Sequence, residues 1–327
     1  MKITIRDIAR MTNLSVATVS RVLNNKPDVS DEARELVLST MKEHNYNPNF
    51  MARALTLKKT DSIGLILPEI TNPFFPEMAK GVENRAKELN YSVILANLNS
   101  DNSSLMETIN FLKSKQVDGI VIVQWSQEFA PAIQDDDFPI VAIDREEGKS
   151  YVNFDNYGSG YQATSFLISK GHTEIAHLTG DLDTLSAQKR LAGYKRCLGE
   201  YGIAINEQFI VEGDFSLESG YEGMQQLLKS TTLPTAVFAA NDMVAIGAYD
   251  AITEKGLSVP EDISIVGHDD ISFASIVRPK LTTVSVPRYE LGVACIDVLH
   301  TLLAQKAKEP KTVNLQPELK IRDSAQT

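Results

Sequence analysis

Ile5-Arg6-Asp7-Ile8-Ala9-Arg10-Met11, broken by Asn13-Leu14-Ser15 and followed by Val16-Ala17-Thr18-Val19-Ser20-Arg21-Val22-Leu23-Asn24, is the stretch from which the rest of the chain can be read. Ile5, Ile8 and Ala9 recur at helical spacing, so the first segment predicts a short amphipathic helix. Thr4 stands where an N-cap belongs, with Asp7 three residues later to complete a capping box. Ser15 can cap a second helix from Val16 to about Asn24, whose core side carries Val19 and Val22. Two short helices joined by so tight a turn form a helix-turn-helix pattern. Asp28-Val29-Ser30-Asp31-Glu32 opens a third helix, with Leu36, Val37, Leu38 and Met41 expected on its apolar face. Any small three-helix bundle could show this much.

The wording of two segments is more specific. Ser15 to Asn24, and Tyr46-Asn47-Pro48-Asn49-Phe50-Met51-Ala52-Arg53-Ala54-Leu55, closely resemble the recognition-helix and hinge-helix segments of the LacI family of transcription regulators. They occur in that family's order and spacing, and the resemblance runs through essentially the whole chain. It implies that Val16, Ala17 and Arg21 face base edges in the major groove. Arginine can chelate guanine O6 and N7, whereas Val16 and Ala17 offer apolar contact such as to a thymine methyl. Thr4, Ser15, Thr18, Ser20, Asn24 and Ser30 are then phosphate anchors or helix caps, which position the helix without reading sequence. Pro48 biases Asn47 away from helical angles, and Asn49 can cap a short helix ending near Leu57. So short a helix is unstable alone in water. In the family it forms against its dimer mate in the minor groove, which implies a wedge role for Leu55 and places Ala52 near the groove floor.

From residue 61 onward, apolar strand-like runs alternate with helical segments. Ser62–Leu67, Ser92–Ala96, Gly119–Val123 and Ile140–Ile143 form one series; Ile175–Leu178, Ala236–Ala239 and Ile263–Val266 form a second. Such runs suit strands buried on both faces. Helices are expected over Pro76–Leu89, Leu105–Ser114, Leu191–Glu200 and Met243–Lys255. Two successive βα sets predict an α/β body of two doubly wound parallel-sheet lobes with a cleft between them. The expected division is an all-α head at 1–46, a hinge helix and linker at 47–60, and an effector-binding and dimerisation body at 61–327. The resemblance further implies crossings between lobes near 158, 288 and 320, giving an N-lobe of about 61–158 and 289–319 and a C-lobe of about 159–288 and 320–327.

Ligands in doubly wound folds sit at the carboxyl ends of the strands. At those positions stand Asn72, Phe74, Phe75, Asp144 and Arg145 in the first lobe, and Arg190, Phe215, Asn241 and Asp269 in the second, with Asp155 and Asn156 as weaker candidates beside the first crossover. The set resembles the pocket of periplasmic ribose-binding proteins. It suits a sugar: aromatic faces cover C–H surfaces, carboxylates accept from hydroxyls, and Arg or Asn donate to oxygens. Those proteins carry a glutamine near the second crossover, where this chain has Ser285-Val286-Pro287, so ribose is one candidate monosaccharide among several. Asp242 is expected to cap the helix that follows it, leaving Asn241 for the ligand.

Charge is unevenly spread. The net charge of −11 divides into +4 for residues 1–60 (10 basic, 6 acidic) and −15 for the remainder (22 basic, 37 acidic). A cationic head on an anionic body confines phosphate attraction to one end. Cys197 and Cys295 are far apart, which favours reduced, buried thiols. With no signal-peptide pattern and no apolar run of membrane length, a cytoplasmic protein is expected, with no membrane partner. An enzyme finds little support. No Gly-x-Gly-x-x-Gly follows a strand, and Gly148-Lys149-Ser150 lacks the phosphate-loop glycine, position 143 being Ile. His172, His177, His268 and His300 have no paired nucleophile at a recognisable spacing. No cofactor or metal is expected. The expectation is a homodimeric repressor that binds a pseudo-palindromic operator and answers to a small molecule, with a sugar favoured over a purine corepressor, a phosphosugar or a phosphorylated protein partner. The resemblance implies that a tetramer would use a C-terminal leucine-heptad tail, and with no heptads near Thr327 a dimer is expected.

Overall fold

The computed structural model describes residues 3–23, 26–46, 59–98, 105–123, 138–145, 150–305 and 310–325. The chain divides into two compact units, Met1–Thr60 and Asp61–Thr327.

In the first unit α1 spans Ile5–Met11, α2 Val16–Leu23 and α3 Asp31–Glu43. The Asp7 carboxylate accepts from the Thr4 backbone N–H at 2.9 Å and from its hydroxyl at 2.7 Å, fixing the start of α1. Asn13 makes the turn at φ +53, a left-handed conformation that asparagine tolerates better than most residues. Ser15 Oγ accepts from the Thr18 N–H (3.0 Å) and Ser30 Oγ from the Ala33 N–H (3.3 Å), so both serines cap their helices. The core is Ile8, Ala9, Val19, Val22 and Val37 with Met41 packed against it. The expected apolar face of α3 is narrower than its sequence suggests: Leu36 and Leu38 are 45% and 50% exposed. Val37 and Met41 lie one turn apart and define the inward stripe, and the two leucines sit about 100° to either side of Val37.

The second unit holds two six-stranded sheets. The first contains β1 Ser62–Leu67, β2 Ser92–Asn97, β3 Gly119–Ile122, β4 Ile140–Ala142, β5 Ser150–Phe154 and β11 Thr312–Leu315, in the order β11-β5-β4-β3-β1-β2, parallel throughout. The second contains β6 Ile175–Leu178, β7 Ile210–Val211, β8 Ala236–Ala239, β9 Ser264–Asp269, β10 Thr282–Ser285 and β12 Glu318–Lys320, in the order β12-β10-β9-β8-β6-β7. Only β12 runs antiparallel to its neighbour. The two-lobed α/β architecture expected from the alternating runs is present.

Helices α4 Phe74–Glu88 and α5 Leu105–Ser114 belong to the first lobe; α7 Leu185–Glu200, α8 Leu217–Leu227 and α9 Asp242–Glu254 belong to the second. The chain leaves the first sheet after β5 through α6 Asn156–Ser169, returns after β10 through α10 Arg288–Gln305 to β11, and re-enters the second sheet at β12. Residues buried on opposite faces of each sheet build its cores: Leu65, Val121 and Ile296 on one side of the first sheet, Ile66, Ile120 and Leu112 on the other. The seven expected strands are present with ends shifted by at most three residues, but α7 begins six residues earlier than its apolar spacing suggests. Arg190 therefore sits inside a helix rather than ahead of one. Helices α6 and α7 nearly touch at Gly160 and Gly193, where a β-carbon on either would meet the other helix's backbone.

Candidate DNA-reading face and effector cleft

In the head, Val19 and Val22 turn inward, which leaves Ala17 and Arg21, one turn apart, on the opposite side of α2. Thr4, Ser15, Val16, Ala17, Arg21 and Ser30 are exposed, and Thr18 and Ser20 are half-buried. The Arg21 guanidinium lies 2.8 Å from the Asp28 carboxylate, an exposed ion pair that sequence inspection did not anticipate. Asn24, Asn49, Ala52 and Leu55 fall outside the described residues.

Within the body, a cleft of about 710 Å³ opens at the carboxyl ends of the strands. Its lining includes Asn72, Phe74, Phe75, Asp144, Arg190, Phe215, Asn241 and Asp269, brought together from both lobes. The floor is buried: Arg190, Asn241 and Asp269 are each no more than 5% exposed. Arg190 Nε donates to Asn156 Oδ1 at 2.9 Å and Nη1 donates to the Ala240 carbonyl. Its guanidinium carbon is 5.9 Å from the Phe154 ring centre and 5.7 Å from that of Phe215. Burial lowers its proton affinity, opposed by the negative charges of Asp269, Asp144 and Asp242. Phe215 packs its ring on Gly180, where a side chain would displace it, and holds φ +68 while its carbonyl accepts from Asn241 Nδ2 (3.0 Å).

Asp144 reaches across the cleft. Its Oδ2 accepts from the Ser186 N–H (3.1 Å) in the first turn of α7, where backbone donors lack partners within the helix. Asn153 holds the turn that presents it, accepting from the Asp144 N–H (2.8 Å) and the Arg145 N–H (3.3 Å) and donating to the Arg145 carbonyl.

Three expectations need correction. Arg145 is buried but does not line the cleft: Asp144 adopts φ +64, and Asn153 holds both the N–H and the C=O of Arg145, so consecutive side chains diverge. Asn241, the residue expected at the ligand, also caps α9, its Oδ1 accepting from the Val244 N–H (2.8 Å). Asp242 is not the cap. It is fully buried and accepts from the Ile271 N–H (2.8 Å) and the Thr283 hydroxyl (2.6 Å), and burial together with Asp269 pushes its carboxyl well above the usual range. Asp155 caps α6 through the Gly158 N–H and is exposed, outside the lining, whereas Asn156 lines the cleft.

Sequence inspection missed Asn153, Phe154 and Ser186, together with the acidic members Glu69, Asp181, Asp214 and Glu218. Asn153 and Phe154 end β5, whose alternation Ser150-Tyr151-Val152-Asn153-Phe154 was the available signal. Among the described lining residues Arg190 is the one cation, facing six carboxylates: Glu69, Asp144, Asp181, Asp214, Glu218 and Asp269.

Residues 4–49 match the profile for bacterial regulatory proteins of the lacI family, and residues 164–325 match a periplasmic binding protein-like domain. The ribose operon repressor of Haemophilus influenzae is 38% identical over 325 residues, 98% of each chain. The HTH-type transcriptional repressor PurR of Histophilus somni is 36% identical over 330 residues, 99% of each chain. The crystal structure of the lac repressor dimer bound to operator and the anti-inducer ONPF superposes with a TM-score of 0.91 at 31% identity, covering 100% of both chains. With these similarities spanning head and body alike, the chain belongs to the lacI family of bacterial regulatory proteins and is a DNA-binding transcription regulator.

Proposed function

We propose that the protein represses transcription as a homodimer whose hold on a pseudo-palindromic operator is released when a neutral monosaccharide enters the cleft, D-ribose being the first candidate. The observation that carries the effector reading is the charge and shape of the lining: one buried arginine between two aromatic rings, surrounded by amides and carboxylates. Carboxylates accept from vicinal hydroxyls, Arg190 and the amides donate to sugar oxygens, and the rings cover C–H faces. A phosphosugar is disfavoured. Two like unit charges roughly 8 Å apart repel by about 2 kcal/mol at an effective dielectric of ~20, and six carboxylates stand against a single cation. The ribose operon repressor relative supports the same class of effector.

In this reading Val16, Ala17 and Arg21 contact bases, and Thr4, Ser15, Thr18, Ser20, Asn24 and Ser30 anchor phosphates. Asn49, Ala52 and Leu55 belong to a hinge that inserts in the minor groove as a pair. The lac repressor dimer on its operator supports both the dimer and the docking mode. Effector and operator bias one two-state arrangement, so each weakens the other by the same factor. The test is calorimetric titration of the purified protein with D-ribose, other neutral aldoses, ribose 5-phosphate and purine bases. Binding of a neutral aldose and no heat with the phosphosugar is expected; selective binding of the phosphosugar or a purine refutes the effector class.

A further inference from the structure

We propose that His268 is a positioning residue for effector recognition: its ring N–H fixes the orientation of the Asp269 carboxylate and so sets which hydroxyl geometry the cleft accepts. The inference rests on the effector reading above. His268 and Asp269 are the last two residues of β9. Neighbours in a regular strand point to opposite faces and their side chains do not meet. Asp269 departs from strand geometry at φ +108, and His268 Nδ1 lies 2.8 Å from Asp269 Oδ1. The ring is wholly buried, and the Asp269 side chain nearly so.

The chemistry assigns the proton. Burial and the charge of Arg190 push the His268 imidazole down to about 4, so the ring is neutral near pH 7. A neutral imidazole carries one N–H, an ionised carboxylate only accepts, and the proton therefore sits on Nδ1. Nε2 is left as a buried acceptor with no hydrogen-bond partner among the described residues. A residue present only to fill space would not carry that penalty, since leucine or phenylalanine would fill the strand position without a buried polar atom. What histidine adds is the Nδ1–H. With Oδ1 held, Asp269 offers Oδ2 to a ligand hydroxyl in one direction. Packing reinforces this, because the His268 ring lies against Phe154, itself a wall of the cleft, with ring centres 5.8 Å apart.

The experiment titrates the full-length protein with D-ribose and a panel of neutral aldoses by calorimetry, in wild type, His268→Phe, His268→Leu and His268→Asn, with thermal unfolding of each. Asparagine places an N–H the same number of bonds from the backbone as Nδ1. The expected result is affinity for the best aldose about tenfold weaker in the Phe and Leu variants, the weight of one hydrogen bond to a charged group, with near wild-type affinity in the Asn variant. Their melting temperatures should not fall in parallel with affinity. Wild-type affinity in both donorless variants overturns the proposal, as does an Asn variant no better than they are, or loss of cooperative unfolding in both Phe and Leu. A wild type that binds no aldose refutes the effector reading and this inference with it, whereas binding left unchanged by the donorless variants refutes the inference alone.

Discussion

Replacing Gly160 by alanine adds one methyl group where α6 and α7 come closest, and the structure sets the sign of the outcome. A β-carbon there would stand 2.9 Å from both the Cα and the carbonyl carbon of Arg190, and nearer still to its carbonyl oxygen. The obstacle is backbone, so no rotamer change relieves it. Helix propensity alone favours alanine by about 1 kcal/mol. Overpacking of a close-packed contact opposes it by roughly 1–3 kcal/mol and pushes α7, with Arg190, away from the crossover helix. Gly199 in the same α7 is the control. A β-carbon there meets nothing within 4 Å, so Gly199→Ala should be neutral to stabilising, by up to about 1 kcal/mol. The two variants should differ by about 2 kcal/mol in unfolding free energy, or roughly 5 °C in melting temperature for a unit of this size. Chemical denaturation gives the first figure and calorimetry the second. Gly160→Ala should also bind effector more weakly, while Gly199→Ala should not. Equal stabilisation of both variants refutes the reasoning, because it would show that the helices have room at their crossing.

The head gives a second prediction. The Arg21–Asp28 pair has 59% and 52% of its side chains exposed and is worth at most about 1 kcal/mol, so Asp28→Asn should free the arginine and remove a like charge from the phosphates, raising operator affinity by up to about fivefold. Arg21→Ala should instead cut the preference for operator over scrambled duplex by about 1–3 kcal/mol in an anisotropy competition, and an equal loss on both duplexes removes Arg21 from base contact. The third concerns acid stability. Burial pushes His177, whose Nδ1 lies 2.9 Å from the Phe238 carbonyl, down to about 4, below its unfolded value near 6.5. A depressed histidine leaves the unfolded chain binding more protons, so its stability contribution is complete above about pH 6.5 and is lost as pH falls toward 4. Wild type should lose roughly 3 kcal/mol more than His177→Asn between pH 7 and 4, since the amide keeps the donor without titrating; identical pH profiles contradict the assignment.

What the sequence reveals depends on how each residue is buried. Strands β1, β6 and β8 were legible because both faces are covered and the residues are nearly all apolar. The strand Thr282-Thr283-Val284-Ser285 was not, because in sequence its threonines resemble a polar loop, and the partners that satisfy their buried hydroxyls lie far along the chain: Thr283 bonds Asp242, and Thr282 accepts from the Arg322 N–H. The start of α7 was hidden for a related reason, since Ser186, Gln188 and Lys189 obscure the apolar spacing that resumes at Leu191. In the cleft, the rule that ligands gather at strand ends pointed to Arg190, Phe215, Asp269 and others, but to fewer than half of the lining residues. It could not separate Asp144 from Arg145, because a positive φ decides which neighbour faces the cavity, and it gave the cap of α9 to Asp242 where Asn241 makes it. Asn153 acts on backbone groups held near it by the fold, a role that no local pattern announces.

The most direct test of the coupling between cleft and head follows the full chain by fluorescence anisotropy on a palindromic duplex selected from a random pool, with a neutral aldose added to saturation. The account predicts tight binding at moderate salt that survives excess random competitor and weakens at least tenfold, by ~1.4 kcal/mol or more, when the aldose that binds the cleft is present. Operator affinity unchanged by an aldose that demonstrably occupies the cleft contradicts it.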